Sequence, residues 1–333
     1  MPNAPHTAPT FSIVVPLYNE EEVVAQFHGR LATVMGALGE PWEVVYVNDG
    51  SRDRSLAILE ELRERNGNVA VVNLSRNFGK EIAMTAGLDH ARGAAVVVTD
   101  VDLQDPPEVI PELVAGWREG FDVVYAQRRV REGETAVKRA TASLFYRLMQ
   151  NIGGRVQIPR NTGDFRLMSR RAVDALLKLR EQHRFMKGLF AWVGFPSKAV
   201  LYDRAPRAAG TTKWNYWKLW NLALEGITSF TVMPLKIATY LGLAVAVFAI
   251  LFGGQIVVRT LLFGNPVPGY PSVMAVVLFL GGVQLMTLGV IGEYLGRVFN
   301  EVKARPLYLV ERYLPTAPAA AERDALLETA PTR

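Results

Sequence analysis

The chain has no cysteine, which excludes disulfides, thiolate metal centres and a cysteine nucleophile. Histidine is scarce, with four in 333 residues. His6, His28, His90 and His183 are scattered and make no ligand spacing. Neither G-x-G-x-x-G nor G-x-x-x-x-G-K-[ST] occurs, so dinucleotide binding and a P-loop lack support. There is no Ser-His-Asp signature. Lys and Arg number 37 against 32 Asp and Glu, a net charge of +5 with no Lys/Arg block. That balance argues for phosphate or anionic lipid, and no nucleic-acid partner is expected. Met1–Thr10 is Pro/Ala-rich without an apolar h-region, so a frayed tail is expected there and not a secretory signal.

Half of the residues are hydrophobic, and the excess sits in the last third. A chain of 333 residues can hold one large domain or two smaller ones around a real core. Up to about Ala126, short β-branched runs alternate with helical apolar spacing. Phe11–Val15, Glu43–Val47, Val69–Leu74, Ala95–Thr99 and Asp122–Ala126 are expected as strands. Glu21–Leu38, Asp53–Asn66, Lys80–Ala91 and Pro107–Glu119 are expected as helices, with Gly67 and Gly120 at C-cap positions. The alternation predicts an α/β domain with a mostly parallel sheet and helices on both faces.

The C-terminal third differs in kind. Ile237–Val258 carries no charge over roughly 22 positions, enough to cross ~30 Å of hydrocarbon, and Val273–Gly292 is a second run of about 20. A charge near the centre of either would cost ~3 kcal/mol, and neither shows a polar face. Lys236 precedes the first run, while Arg297, Lys303 and Arg305 follow the second. The positive-inside rule therefore predicts a multi-pass inner-membrane protein with its globular domain and both termini in the cytoplasm. Trp214, Trp217 and Trp220 are three of the six tryptophans. With Leu224, Ile227 and Phe230 they predict an amphipathic helix in the headgroup region. The expected division is a tail over 1–10, a globular domain over 11–212 and juxtamembrane helices over 213–234. A hairpin over 235–296 and a C-terminal segment over 297–333 complete it, with a disordered end past Arg312.

Asp100-Val101-Asp102-Leu103-Gln104-Asp105-Pro106-Pro107 follows directly on the fourth strand run. Two carboxylates one residue apart, plus an amide oxygen, suit a hard divalent cation that keeps positions open for phosphate oxygens. Alone, the run reads equally as an acidic turn before a helix. Three more polar turns share its sheet edge: Pro16–Glu21, Asn48–Ser51 and Ser75–Lys80. Four such turns at the carboxyl ends of parallel strands describe a nucleotide crevice. In it Tyr18 is suited to stack on a base and Asp49 to accept hydrogen bonds from base or ribose. Gly79 permits close backbone approach, and Lys80 can reach phosphate.

Taken in order, P-x-Y-N-E, V-N-D-G-S, S-R-N-F-G-K-E, D-x-D-L-Q-D-P-P and T-G-D-F-R-L-M resemble the family-2 inverting glycosyltransferases of GT-A fold. More narrowly they resemble the polyisoprenyl-phosphate glycosyltransferases, a group that includes dolichyl-phosphate mannose synthases. Within it, the similarity is to bacterial polyprenyl-phosphate glucosyltransferases with two C-terminal membrane helices, and it spans about Phe11 to Leu309. The resemblance implies that Pro16, Tyr18, Glu20, Asp49, Gly79, Lys80 and Asp100 bind the nucleotide. It implies that Asp102 and Gln104 ligate Mg²⁺ or Mn²⁺ on the diphosphate. Asp164 would lie near the sugar, orienting it or the acceptor or serving as a base, with Asp100 and Asp102 also in the catalytic group.

Arg128, Arg129, Arg131, Lys138, Arg139, Ser143 and Arg147 form a basic stretch in which 139, 143 and 147 share one helical face. Such charge is ordinarily a solvated face; beside a lipid-phosphate acceptor it becomes a phosphate clamp. Arg207, Thr211, Thr212 and Lys213 match the family's mobile acceptor loop, with Gly210 for flexibility. The implied reaction moves a hexose from a UDP-sugar onto undecaprenyl phosphate for cell-envelope glycosylation, with inversion. Glucose comes first, and N-acetylglucosamine, galactose and mannose stay open. The resemblance also implies a homo-oligomer, a tetramer, for which Gly292 and Gly296 offer small-xxx-small spacing. One alternative is a processive polysaccharide synthase, since Gln182-His183-Arg184-Phe185 approaches Q-x-x-R-W, though one residue short and with Phe in place of Trp. Another is a non-catalytic nucleotide-sugar-binding scaffold for a flippase, against which the intact Lys80, Asp100, Asp102 and Gln104 argue.

Overall fold

The computed structural model describes residues 9–129, 159, 161–203, 233–264 and 269–316. At the centre of the sheet lies β1 (Phe11–Leu17), buried along its whole length. A strand covered on both faces reads as a near-continuous apolar run, broken in this one by Ser12. β1 pairs in parallel with β2 (Trp42–Asn48) on one side and β4 (Ala95–Val98) on the other, and β2 pairs with β3 (Val69–Leu74). Register places Leu17 beside Asn48 and Asn48 beside Asn73, so these carboxyl ends are level. The chain leaves β1 for β2 on one side and reaches β4 on the other, which is the topological switch where a crevice opens.

Past β4 the sheet changes direction. β6 (Thr162–Ser169) runs against both β4 and β5 (Val123–Arg128), and β7 (Ser197–Tyr202) runs parallel to β5. At the opposite edge β8 (Val310–Leu314) runs against β3. Among the described residues the order is β7-β5-β6-β4-β1-β2-β3-β8. The helices α1 (Val24–Leu38), α2 (Ser55–Arg65), α3 (Lys80–His90) and α4 (Ile110–Arg118) each follow a strand, and α5 (Arg170–Leu177) and α6 (Met186–Trp192) lie between β6 and β7.

Strand alternation sorts the core into two layers. Phe11, Ile13 and Val15 pack with Phe27 and Leu31 of α1 and with Leu113 of α4. Val14 points the other way, onto Met84 and Leu88 of α3 and Leu189 of α6. Burying side chains of this size contributes ~1.5–3 kcal/mol apiece. Gly87 lets α3 settle on β1, since a Cβ there would lie 2.3 Å from Val14 Cγ1.

The strand and helix positions expected up to Ala126 hold to within a few residues at each end. β8 departs from expectation. The segment past Arg312 was expected to be disordered, yet Tyr313 and Leu314 belong to a strand. Its short Val-Glu-Arg-Tyr-Leu sequence carries little strand signal of its own; pairing with β3 makes it a strand.

The apolar segments form α7 (Met233–Phe263) and α8 (Tyr270–Val302), which pack on each other. Pro234–Phe263 and Ala275–Val302 are long and apolar enough to cross a membrane. Both helices extend beyond the expected spans. Phe248, Leu261 and Leu285 stand exposed on them, a surface that suits lipid better than water. Gly292 and Gly296 face open space. Beyond Gly292, α8 becomes polar and meets the globular domain. Glu301 Oε1 accepts from Gln182 N–H at 2.7 Å, and Asn300 Nδ2 lies 3.0 Å from His183 Nε2. The tryptophan segment preceding α7 lies outside the described residues.

Candidate active site

Lys80, the first residue of α3, projects across the carboxyl edge of the sheet. Its Nζ lies 2.7 Å from Asp100 Oδ1, just past β4, and 2.6 Å from Asp164 Oδ2 on β6. Withdrawal from water works against the ammonium, but the two carboxylates hold its pKa well above the usual lysine value. Burial likewise works against the Asp164 charge. Lys80, Lys187 and Arg166 outweigh it and hold the carboxyl well below the usual range. Asp100 shifts the other way: burial, with Asp164 and Asp105 nearby, raises it despite Lys80. One oxygen of Asp164, Oδ1, is buried without a hydrogen-bond partner among the described residues. A buried, unsatisfied carboxylate oxygen beside a fixed cation is a high-energy acceptor, of the kind a bound ligand satisfies.

The neighbouring turns are stitched to one another. Asn19, with φ of 54°, accepts from Arg52 N–H at 2.8 Å through Oδ1, while Ser51 Oγ accepts from Asn19 N–H at 2.9 Å. Ser55 Oγ accepts from Glu20 N–H at 2.9 Å. Asp49 uses both oxygens on the next loop, accepting from Phe78 N–H at 2.7 Å and Gly79 N–H at 2.9 Å. In this structure Asp49 therefore organises the β3–α3 loop on which Lys80 sits. Gly50, with φ of +65°, passes so close that a Cβ would lie 2.5 Å from the Arg76 carbonyl carbon. Between these turns opens a cleft of ≈ 340 Å³, lined by residues including Tyr18, Gly50, Ser51, Arg76, Asn77 and Glu311. Pro16 is buried in β1.

On the far side of Asp100 the loop carries Leu103 at φ of 60°, a strained backbone for a leucine that the surrounding packing must hold. Asp102 is buried and its Oδ1 accepts from Gln104 N–H at 3.1 Å. Asp105 is buried and accepts from Tyr202 OH, which in turn accepts from Arg128 Nε at 3.3 Å. Arg128 thereby reaches the site; a Cβ on Gly163 would be 3.4 Å from its Nη2. Arg129 turns outward, 3.9 Å from Asp203. Arg131, Lys138, Arg139, Ser143, Arg147, Arg207 and Lys213 lie outside the described residues, as do Gly210, Thr211 and Thr212.

Several participants had no role in the sequence reading. Arg166 donates to Gly163 O at 2.8 Å and lies 3.7 Å over the Phe190 ring; burial lowers its pKa to about 10 against Asp164 and Glu81. Burial, then the Asp164 charge, push the Glu81 carboxyl up to about 7, against Lys80, Lys187 and the Met186 N–H. Glu81 and Arg166 stand inside motifs quoted above, which was the available signal. Lys187 and Tyr202 sit in no motif. Arg184 turns into the core, donating to Leu179 O at 2.5 Å, and Phe185 is buried. The two residues that approach Q-x-x-R-W are thus core residues.

Among the described residues no group of three His, Cys, Asp or Glu side chains stands at metal-binding spacing. Asp102 with Gln104 provides a partial, all-oxygen donor set. That fits a hard divalent cation completing its shell from diphosphate and water, and does not fit a metal caged by protein alone.

Residues 12–177 match Glycosyl transferase family 2, and residues 233–298 match the GtrB C-terminal hairpin. An uncharacterized glycosyltransferase of Synechocystis is 55% identical over 309 residues, covering 91% of this chain and 97% of that one. This chain belongs to the family 2 glycosyltransferases. It is an enzyme of GT-A fold, with its mostly parallel sheet and carboxyl-edge site. The SfII prophage-derived bactoprenol glucosyl transferase of Shigella flexneri is 49% identical over 301 residues, covering 90% of this chain and 97% of that one. Among solved structures, glucosyl-3-phosphoglycerate synthase from Mycobacterium tuberculosis overlaps at a TM-score of 0.47 and 19% identity, over 66% of this chain and 76% of that one. The hairpin match and the two apolar helices point to membrane association.

Proposed function

We propose that this glycosyltransferase moves glucose from UDP-glucose onto a polyprenyl phosphate at the cytoplasmic face of the membrane, giving a β-linked polyprenyl-phosphate glucose. The observation that carries the reading is the Lys80 bridge between Asp100 and Asp164, set beside a nucleoside-sized cleft. Similarity to bactoprenol glucosyl transferases supports the sugar and the lipid class. The apolar hairpin supports an acceptor that stays in the bilayer, since an isoprenoid tail leaves lipid at a cost of ~0.8 kcal/mol per buried CH₂.

The acceptor needs little activation. A phosphate monoester with a second pKa of about 6 is largely dianionic near pH 7, a competent nucleophile without a dedicated base. Its oxygen forms the new bond to the anomeric carbon as the bond to the UDP oxygen breaks, and the electron pair leaves with UDP. Attack opposite the leaving group inverts the centre. The protein must align the two phosphates and neutralise charge growing on the departing diphosphate. Lys80 and Arg128 supply fixed positive charge there, and Asp164 orients the sugar or acceptor. Asp102 and Gln104 would hold a divalent cation, Mg²⁺ or Mn²⁺, which supplies further charge neutralisation when bound.

The test is incubation of detergent-purified protein with Mg²⁺, undecaprenyl phosphate and a panel of radiolabelled UDP- and GDP-sugars, with Asp102→Ala alongside. Label entering the lipid phase from UDP-glucose, and lost in the variant, is the expected result. Label from another donor would replace the sugar. Polymer product, or no lipid label from any donor, would overturn the reading.

A further inference from the structure

Glu311 lies on β8, beyond the apolar hairpin, yet it reaches the cleft formed by the first strands of the chain. Its Oε2 accepts from Asn73 Nδ2 at 2.8 Å. Asn73 Oδ1 accepts from Asn48 Nδ2 at 2.7 Å, and Asn48 Oδ1 from Ser51 N–H at 3.3 Å. Ser51 Oγ accepts from Asn19 N–H, next to Tyr18. A side-chain relay thus crosses from β8 over β3 and β2 into the turns that wall the cleft, and Glu311 itself lines that cleft.

The segment is anchored at many points. Leu309 O accepts from Ser75 N–H at 3.0 Å, at the start of the β3–α3 loop. Tyr308 OH donates to Asp89 at 2.7 Å, Arg63 Nε to Pro315 O at 2.9 Å, and Arg92 Nη2 to Thr316 Oγ1 at 2.7 Å. Glu311 stands in the cleft wall with Arg52, Arg76 and Asn77. A carboxylate there accepts from N–H and O–H groups, the donors that a nucleoside carries.

We propose that Glu311 is a positioning residue for the donor, accepting a hydrogen bond from the nucleoside and ordering the Asn73–Asn48–Ser51 relay beneath it. The segment after the membrane hairpin then completes the nucleotide site. The inference rests on the reading of this edge as a nucleotide-sugar site.

The experiment uses full-length protein in detergent: UMP titrated by calorimetry, and kcat and KM measured for UDP-glucose. Glu311→Ala is expected to weaken UMP and raise the donor KM about fivefold with kcat kept, the scale of one lost hydrogen bond. Glu311→Gln, whose amide oxygen can still accept from Asn73, is expected to fall between, at about twofold. Unchanged UMP affinity in Glu311→Ala overturns the proposal, as does a loss confined to kcat. If Glu311→Ala fails to fold, UMP affinity in Glu311→Gln equal to that of the unchanged protein overturns it. Absence of UMP binding by the unchanged protein would overturn the donor reading itself, and this inference with it.

Discussion

Lys80 Nζ stands 2.6 Å from Asp164 Oδ2, a contact joining residues 84 positions apart and tying the first turn of α3 to β6. With Asp100 on its other side, one ammonium offsets two carboxylates. Replacing it by Lys80→Met removes the ammonium between the two acids, so Asp100 ionises less readily and Asp164 keeps only Lys187 and Arg166 to favour its charge. Transfer to lipid is expected to fall by about 10²-fold or more. Lys80→Arg keeps the charge but not the compact ammonium that fits between two oxygens, so its rescue is expected to be partial. Retention of a tenth or more of the turnover in Lys80→Met would rule the bridge out of the mechanism.

Tyr202 offers a quieter test, because its ring and its hydroxyl do different things. The ring packs at right angles on Phe165, with centroids 6.2 Å apart. The hydroxyl joins Asp105 to Arg128. Tyr202→Phe keeps the packing and releases both partners, at about 1 kcal/mol per hydrogen bond. Turnover is expected to fall roughly fivefold to tenfold, with the melting temperature lower by only a few degrees. A large drop in melting temperature with normal turnover would make Tyr202 a purely structural residue.

These residues show how far the sequence could be read. The α/β alternation was visible because buried parallel strands such as Val69–Leu74 are apolar but for a single residue, Asn73. The four turns could be placed on one edge because each follows such a strand. The Lys80–Asp164 contact could not be read, since it depends on β6 entering the sheet antiparallel beside β4. No local pattern states that pairing. β8 was missed for the same reason, and with it Glu311. Asp49 was read as a ligand-binding acid because its V-N-D-G-S turn follows a strand at the carboxyl edge of the sheet and matches the family's motif; its bonds within the protein could not be read. The structure shows that turn folded against Phe78 and Gly79.

Gly50 tests whether the close approach of two turns shapes the nucleotide cleft. Gly50→Ala places a Cβ against Arg76 and Asn77 backbone atoms and imposes φ of +65° on an L-residue. The conformational penalty alone is ~1–2 kcal/mol. Both a lower melting temperature and a raised donor KM are expected, because Arg76 and Asn77 line the cleft. Gly36→Ala on α1 is the control: nothing lies within 4 Å of its Cβ position. In a helix interior that change is expected to stabilise by up to about 1 kcal/mol. A melting temperature and a donor KM in Gly50→Ala matching those of the unchanged protein would contradict the tight turn packing.

Glu81 makes stability depend on pH in the opposite sense to most carboxylates. Its carboxyl is pushed up to about 7 from an ordinary 4.5 by burial and by Asp164, with Lys80, Lys187 and the Met186 N–H opposing. Between those two values the folded protein holds a proton that the unfolded chain has released. Stability contributed by this group is therefore present below the unfolded value and is lost as pH rises toward 7. The whole swing is at most about 3 kcal/mol. Glu81→Gln keeps an oxygen for the Met186 N–H, whose bond to Oε2 is 3.3 Å long, and cannot ionise. Its melting temperature relative to the unchanged protein is expected to improve from pH 5 to pH 8. Differential scanning fluorimetry in detergent across that range checks it. A difference between the two proteins that stays constant with pH would mean that Glu81 titrates as an ordinary surface acid, and that burial beside Asp164 does not control it.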